Sequence, residues 1–164
     1  MLTDATIGDV TSTVALVVRP ATVDEDLDYL VGAGQAFLRT TTYRGRVSDA
    51  RAHAEAVARL VLALGRVFVA VDDQDDLRRL GFLAALVIDH PFLGLRIGTE
   101  VMWWVEPDAR RRGVGRQLFA AFEAWAKAEG AVRAQFGAYR DPHLEGIYQR
   151  LGYHSTEVIY EKDL

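Results

Sequence analysis

The chain has 164 residues, of which 50% are hydrophobic and 26% charged, a balance that suits one globular domain able to bury roughly 70% of its unfolded surface. It contains no cysteine, which excludes disulfides, thiolate metal sites and a cysteine nucleophile. A net charge of −4 argues against a duplex-binding face, and no apolar run approaches the ~18 residues that span a bilayer, so neither nucleic acid nor a membrane is an expected partner.

Residues 1–12 are polar and aperiodic and read as a flexible N-terminal tail. They carry Asp4 and Asp9 and no Lys or Arg, unlike the positive start of a secretory signal, so a cytoplasmic location is expected. Residues 13–164, free of repeats and linkers, read as a single domain. Its first strand is the β-branched run Val14 to Arg19. Asp24 then opens a helix with Leu27, Leu30, Val31, Gly34 and Phe37-Leu38 at helical spacing, and Thr40 to Gly45 connects it to the next element. Ser48 is the expected N-cap of a second helix that runs to Leu64 and stops at Gly65. Val67 to Val71 and Leu80 to Ile88 form a hairpin around the acidic turn Asp72 to Asp76. That turn lacks the central glycine and closing glutamate of a calcium loop.

A loop from Asp89 to Gly94 leads to a fourth strand, Ile97 to Val105, which Pro107 ends. The next helix carries Val114, Leu118, Phe122 and Trp125 on one face and ends near Gly130. A fifth strand (Ala131 to Phe136), a short helix (about His143 to Leu151, closed by Gly152) and a last strand (Tyr153 to Tyr160) complete the chain. The order β-α-α-β-β-β-α-β-α-β predicts an α/β chain of the α+β type, with a mixed sheet and helices on both faces.

Function concentrates in Glu100 to Phe119: a buried strand, then a basic turn with two glycines, then a helix start. The first-turn N–H groups of a helix have no partners inside it and its dipole favours an anion there, so the turn Arg110-Arg111-Arg112-Gly113-Val114-Gly115-Arg116 is a phosphate site in waiting. Glycine lets the backbone approach a ligand and reach positive φ. The alternative is a solvated basic turn.

Arg110 to Gly115 fits R-x-x-G-x-G, it follows a hydrophobic strand ending Val105-Glu106-Pro107, and Ile147-Tyr148-Gln149-Arg150-Leu151-Gly152-Tyr153 lies about thirty residues further on. Together these features resemble the GNAT superfamily of acyl-CoA-dependent N-acetyltransferases, over nearly the whole chain. The resemblance implies a mostly antiparallel central sheet in which the fourth and fifth strands run parallel and splay apart. It implies acetyl-CoA as cofactor, with its pyrophosphate on the amides of Arg110, Arg111, Arg112, Gly113, Val114, Gly115 and Arg116. Backbone groups near Trp104 and Val105 would pair with the pantetheine arm as an added strand would. Asp141, seven before Tyr148, stands where many members carry an asparagine on the same arm; an aspartate accepts but cannot donate, which puts that contact in doubt.

The implied reaction is direct attack of a primary amine on the thioester in a ternary complex, accelerated by positioning. Tyr148 stands where the family places its general acid, against the alternative of a tyrosine that packs the last helix on the sheet. Glu100 is the candidate base, because burial in an apolar strand raises a carboxyl pKa; the alternative is a strand-end carboxylate in water. Alternation places Glu100, Met102, Trp104 and Glu106 on one face, and a bulge expected from the family leaves that face open. Trp103 and Trp104 read as core and site walls. Tyr43, Arg44, His90 and Glu157 are candidates to line the pocket of the acceptor, a small-molecule or peptide amine. The remaining histidines, His53, His143 and His154, show no metal spacing, so no metal is expected. A homodimer fits the resemblance, although the sequence carries no interface signature. The rival reading is a non-catalytic acyl-CoA-binding or interaction module on the same fold. A nicotinamide dehydrogenase is more distant, since Leu118 stands where G-x-G-x-x-G needs its last glycine.

Overall fold

The computed structural model describes residues 16–41, 44–75, 77–138, 142–160 and 162; Val14, Ala15, Tyr43 and Asp141 lie outside the described residues. In chain order the elements are β1 (Leu16–Pro20), α1 (Val23–Thr40), α2 (Ala50–Leu64), β2 (Arg66–Asp72), β3 (Arg79–Asp89), β4 (Arg96–Val105), a 3₁₀ turn (Pro107–Ala109), α3 (Val114–Ala128), β5 (Arg133–Gln135) and α4 (Pro142–Arg150). The strands form one sheet in the order β1-β2-β3-β4-β5, antiparallel except for the parallel pair β4 and β5. No described helix is long and apolar enough to cross a membrane.

Alternation along β2 divides the core. Phe68 and Ala70 face one cluster with Leu83, Val105, Leu118, Phe119, Phe122 and Tyr148, beneath α3 and α4. Val67, Val69 and Val71 face the other, with Leu30, Val61 and Phe82, beneath α1 and α2. A strand covered on both faces reads as a near-continuous apolar run, as Val67 to Val71 does. Helix α3 comes so close to β4 that a Cβ on Gly98 would stand 2.6 Å from the Cβ of Ala126.

Helix starts depart by small steps from those expected. Thr22 caps α1, its hydroxyl accepting from Glu25 N at 3.3 Å, so the helix opens before Asp24. Asp49, not Ser48, caps α2, accepting from Ala52 N at 2.9 Å. The two residue types are equally good caps, so local chemistry alone does not choose between neighbours. Strand β5 is shorter than Ala131 to Phe136, and the last strand expected over Tyr153 to Tyr160 does not form. A β-prone run needs an edge to pair with, and β5 offers three residues. Val158, Ile159 and Tyr160 are instead exposed.

One irregularity in β4 decides the site. Ala84 pairs with Met102 but Ala85 pairs with Glu100, so Val101 is an extra residue, a bulge. Alternation is reset there. Glu100, opposite Ala85, shares the α3 and α4 face with Trp103 and Val105, while Met102 and Trp104 pack on the α1 and α2 side. The sequence expectation that put Glu100 on the face of Met102 and Trp104 holds only for an unbulged strand.

Candidate active site

The pairing of β4 with β5 ends at Thr99 and Gln135, whereas β4 continues to Val105 on its other edge, where Val105 pairs with Gly81. From Glu100 onward β4 has therefore lost its β5 partner, leaving an edge available to an extended ligand. Arg110 closes part of it: its Nε donates to the Val105 carbonyl at 3.1 Å, and its guanidinium lies 5.0 Å from the ring centroid of Trp104. Trp104 turns its side chain to the α1 and α2 face. Its Nε1 is buried there with no hydrogen-bond partner among the described residues.

At the end of this edge lies the basic turn. Arg111 has φ 65° and Gly113 φ 83°, two left-handed positions that fold the backbone tightly ahead of α3. The first helical bond runs from Gln117 N to Gly113 O at 3.1 Å, so the N–H groups of Val114, Gly115 and Arg116 lie ahead of the ladder, and no side chain caps the terminus. The arginines at 110, 111, 112 and 116 are exposed around it. Such a terminus suits an anion, and a pyrophosphate fits it by charge and by donor count. Gly115, in contrast with Gly113, is helical, and a Cβ there would meet Trp103 Cζ3 at 3.5 Å, an ordinary contact. The protein side therefore leaves room at Gly115, and close approach matters on its open side.

Beside the free edge stands Tyr148, on α4 and 8% exposed, its ring set among Phe119, Phe136 and Tyr153 with centroids 5.9, 5.5 and 6.2 Å away. Trp103 Nε1–H donates to its hydroxyl oxygen at 3.1 Å. Burial pushes the phenol up to about 12; the Trp103 hydrogen bond works against that shift and the charge of Glu100 adds to it. The phenol thus stays protonated at neutral pH, with its oxygen held and its proton available. Glu100 is half-buried, and burial lifts its carboxyl from 4.5 to about 7, opposed by a weak hydrogen bond from Gly137 N at 3.4 Å.

The structure therefore brings Glu100, Tyr148 and the end of β4 together on one face. It gives His90 a local position: Nδ1 accepts from Phe92 N and Leu93 N at 3.3 and 3.2 Å, closing the β3–β4 loop. Arg44 is exposed in the turn after α1, Glu157 is exposed beyond α4, and Tyr43 and Asp141 lie outside the described residues. Two participants escaped the sequence reading. Trp103, read as core and wall, is the partner of Tyr148, and Gly137, just past β5, supplies the N–H to Glu100. Neither pairing had a signal, because the partners are 45 and 37 residues apart.

A mixed sheet that opens between two parallel strands, with a bare helix N-terminus at the opening, is the arrangement that the resemblance to acyltransferases implies. Residues 63–155 match the family of the acetyltransferase (GNAT) domain, and the chain belongs to that family. Among solved structures it is similar to a putative acetyl transferase from Pyrococcus furiosus, at 20% identity and a TM-score of 0.76, covering 92% of this chain and 100% of the other. It is also similar to the aminoglycoside N-acetyltransferase AAC(6')-Iy in complex with CoA, at 23% identity and a TM-score of 0.70, covering 91% and 95%. A possible acetyltransferase from Clostridium difficile aligns at 15% identity with a TM-score of 0.72, covering 91% and 97%. No curated protein sequence matches the chain.

Proposed function

We propose that this protein transfers the acetyl group of acetyl-CoA to a primary amine by direct attack within a ternary complex. The observation that carries this reading is the free β4 edge from Glu100 to Val105, bounded at one end by the uncapped α3 terminus and flanked by Tyr148. When bound, acetyl-CoA supplies a thioester carbonyl to the amine and a thiolate as leaving group. The N–H groups of Val114, Gly115 and Arg116 and the arginines of the turn hold the pyrophosphate. The β4 edge orients the pantetheine arm. Glu100 takes a proton from the acceptor ammonium, directly or through water, its raised pKa matching it to neutral pH. Tyr148 delivers its proton to the departing sulfur. Positioning of the two reactants supplies the rest of the acceleration.

The net charge of −4 favours a cationic amine over an anionic acceptor. The CoA-bound relative named above is an aminoglycoside N-acetyltransferase, so aminoglycosides head the amines to be tried, with polyamines, amino acids and short peptides. The test is thiol release from acetyl-CoA with that panel, for wild type and Tyr148→Phe, alongside calorimetric CoA binding. Turnover on at least one amine, lowered roughly 10²-fold by the substitution with CoA affinity retained, is the expected result. CoA binding without turnover on any amine supports the non-catalytic acyl-CoA-binding module, and no CoA binding sinks both readings.

A further inference from the structure

From the geometry around Tyr148 we infer that Trp103 is a positioning residue for proton delivery: its indole N–H fixes the phenol oxygen and stabilises the negative charge that grows there as the proton leaves. The inference deepens the acetyl-transfer reading and rests on Tyr148 acting as the acid.

Three observations support it. First, the hydrogen bond has one direction. An indole nitrogen only donates, so at 3.1 Å the phenol oxygen must accept, which leaves the Tyr148 O–H as the unused half of the pair. A phenol bonded instead to a carbonyl would spend its proton on that bond. Second, the indole is held in place. Trp103 stands edge-on to Phe119, with centroids 5.2 Å apart and planes at 84°, and its Cζ3 lies under Gly115 of the phosphate turn. The same side chain therefore lies beside the N-terminus of α3 at one end and donates to the Tyr148 oxygen at the other. Third, the bond favours the state that follows proton delivery. It draws the phenol's pKa down against the upward push of burial, because an N–H donor interacts more strongly with a phenolate than with a phenol. Among the described residues, the rings of Phe119, Phe136 and Tyr153 lie against the tyrosine and offer no comparable help to a developing charge, which the charge of Glu100 opposes.

In the delivery step the Tyr148 O–H bond breaks and an S–H bond forms on the departing thiolate. The acceptor ammonium has already given one proton to Glu100 or solvent, and the nitrogen gives up a second as the amide forms. One of these two protons neutralises the phenolate while the other leaves to solvent. No electrons leave the system and no further reactant is needed. Trp103 exchanges no proton and touches only the phenol oxygen in this sequence.

A double-substitution cycle tests the inference, using acetyl-CoA and the amine of the panel with the fastest thiol release. Trp103→Phe keeps an aromatic ring on β4 and removes the N–H. We expect kcat to fall about tenfold, the size of one charge-assisted hydrogen bond, with the calorimetric Kd for CoA within twofold of wild type. In the Tyr148→Phe background the same change should lower kcat no further, since there is no phenolate left to stabilise. Trp103→His, able to donate from a ring nitrogen, should recover part of the loss. Full additivity in the cycle, or a loss confined to CoA affinity, overturns the role of Trp103 and leaves that of Tyr148 standing. If Tyr148→Phe itself leaves kcat unchanged, or no amine is turned over, the reading of the acid fails and this inference falls with it. A Trp103→Phe protein whose far-ultraviolet spectrum and Tm match wild type but whose kcat is also unchanged overturns the inference alone. Should that variant misfold, Trp103→His in the two Tyr148 backgrounds decides by the same cycle.

Discussion

Glu100 makes a sharper claim than most active-site carboxyls, because its raised pKa binds together activity and stability. With a pKa of about 7 in the folded protein, kcat/KM should climb with pH through that value, and Glu100→Gln should flatten the climb as well as lower the plateau. Stability must run the other way. A group whose folded pKa exceeds its unfolded value contributes fully below the unfolded value, here near 4.5, and that contribution is lost as pH rises through about 7. Denaturant unfolding should therefore show Glu100→Gln gaining on wild type between pH 5 and pH 8, by about 2 kcal/mol. A constant difference across that range would mean the carboxyl is not desolvated. Sequence reasoning reached Glu100 as a carboxylate on an apolar strand, either buried or at a strand end in water, and it could not orient it. The bulge at Val101 is a property of the β3–β4 pairing, and neither strand's composition marks it. Asp141, Tyr43, Arg44, His90 and Glu157 came from the resemblance. Of the three that lie among the described residues, Arg44, His90 and Glu157, His90 has side-chain hydrogen bonds that give it a job, and that job is to close a turn.

At the scale of elements, the turn between β4 and α3 holds strain in one residue and avoids it in another. Both Arg111 and Gly113 occupy the left-handed region, yet only one of them is glycine. For a residue with a Cβ that conformation costs roughly 1–2 kcal/mol. Arg111→Gly should then raise the stability of the free protein by up to about 1 kcal/mol, part of the relief being lost to the freedom of the unfolded glycine, and should weaken CoA binding through the missing charge. Gly113→Ala should cost about 1 kcal/mol in unfolding and lower CoA affinity by displacing the N–H groups behind it. Urea unfolding and CoA calorimetry on the two variants separate conformational strain from ligand contact. The glycine pattern was legible because its physics is local: a strand, a turn and a helix start within twenty residues. Arg111 was not, since an arginine in that conformation is imposed by the turn on either side of it. The missing last strand has the same kind of cause. Tyr153 to Tyr160 has a strand's composition, but β5 ends after Gln135 and gives it no edge to complete.

Across the whole molecule, the two helical layers are tied to the sheet by different means, and this separates fold from chemistry. Helix α3 is set on β4 by close packing at Gly98. The start of α1 is fixed by the fully buried Asp26. Its carboxylate accepts from Arg19 Nη1 at 2.7 Å on β1, from Arg79 Nε at 3.1 Å on β3 and from Thr22 N at 3.0 Å on its own cap. Periodicity pointed to Asp24 as the helix opener and said nothing of Asp26, because burial of an acid is licensed by arginines remote in sequence, one of them 53 residues away. Burial alone would raise the pKa of Asp26; the hydrogen bonds from Arg19, Thr22 and Arg79, with the charge of Arg19, bring it below 3.8. Its contribution to stability is thus present above pH 3.8 and is lost as pH falls through the lowered folded value. Asp26→Ala removes the buried carboxylate shared by two largely buried guanidinium groups, with side chains 24% and 13% exposed, and should cost about 3 kcal/mol at neutral pH. Thermal unfolding should show the drop, shrinking as the pH is lowered toward 3. The arginines concerned stand on β1 and β3, whereas Glu100, Trp103 and the free edge belong to β4. The damage should therefore remain in the folding equilibrium, with kcat/KM per folded molecule within about twofold of wild type well below the transition. A large fall in kcat under those conditions would show that the seat of α1 is transmitted to β4, through Gly34 against Met102 or another contact between the two elements, and that the two layers are not independent.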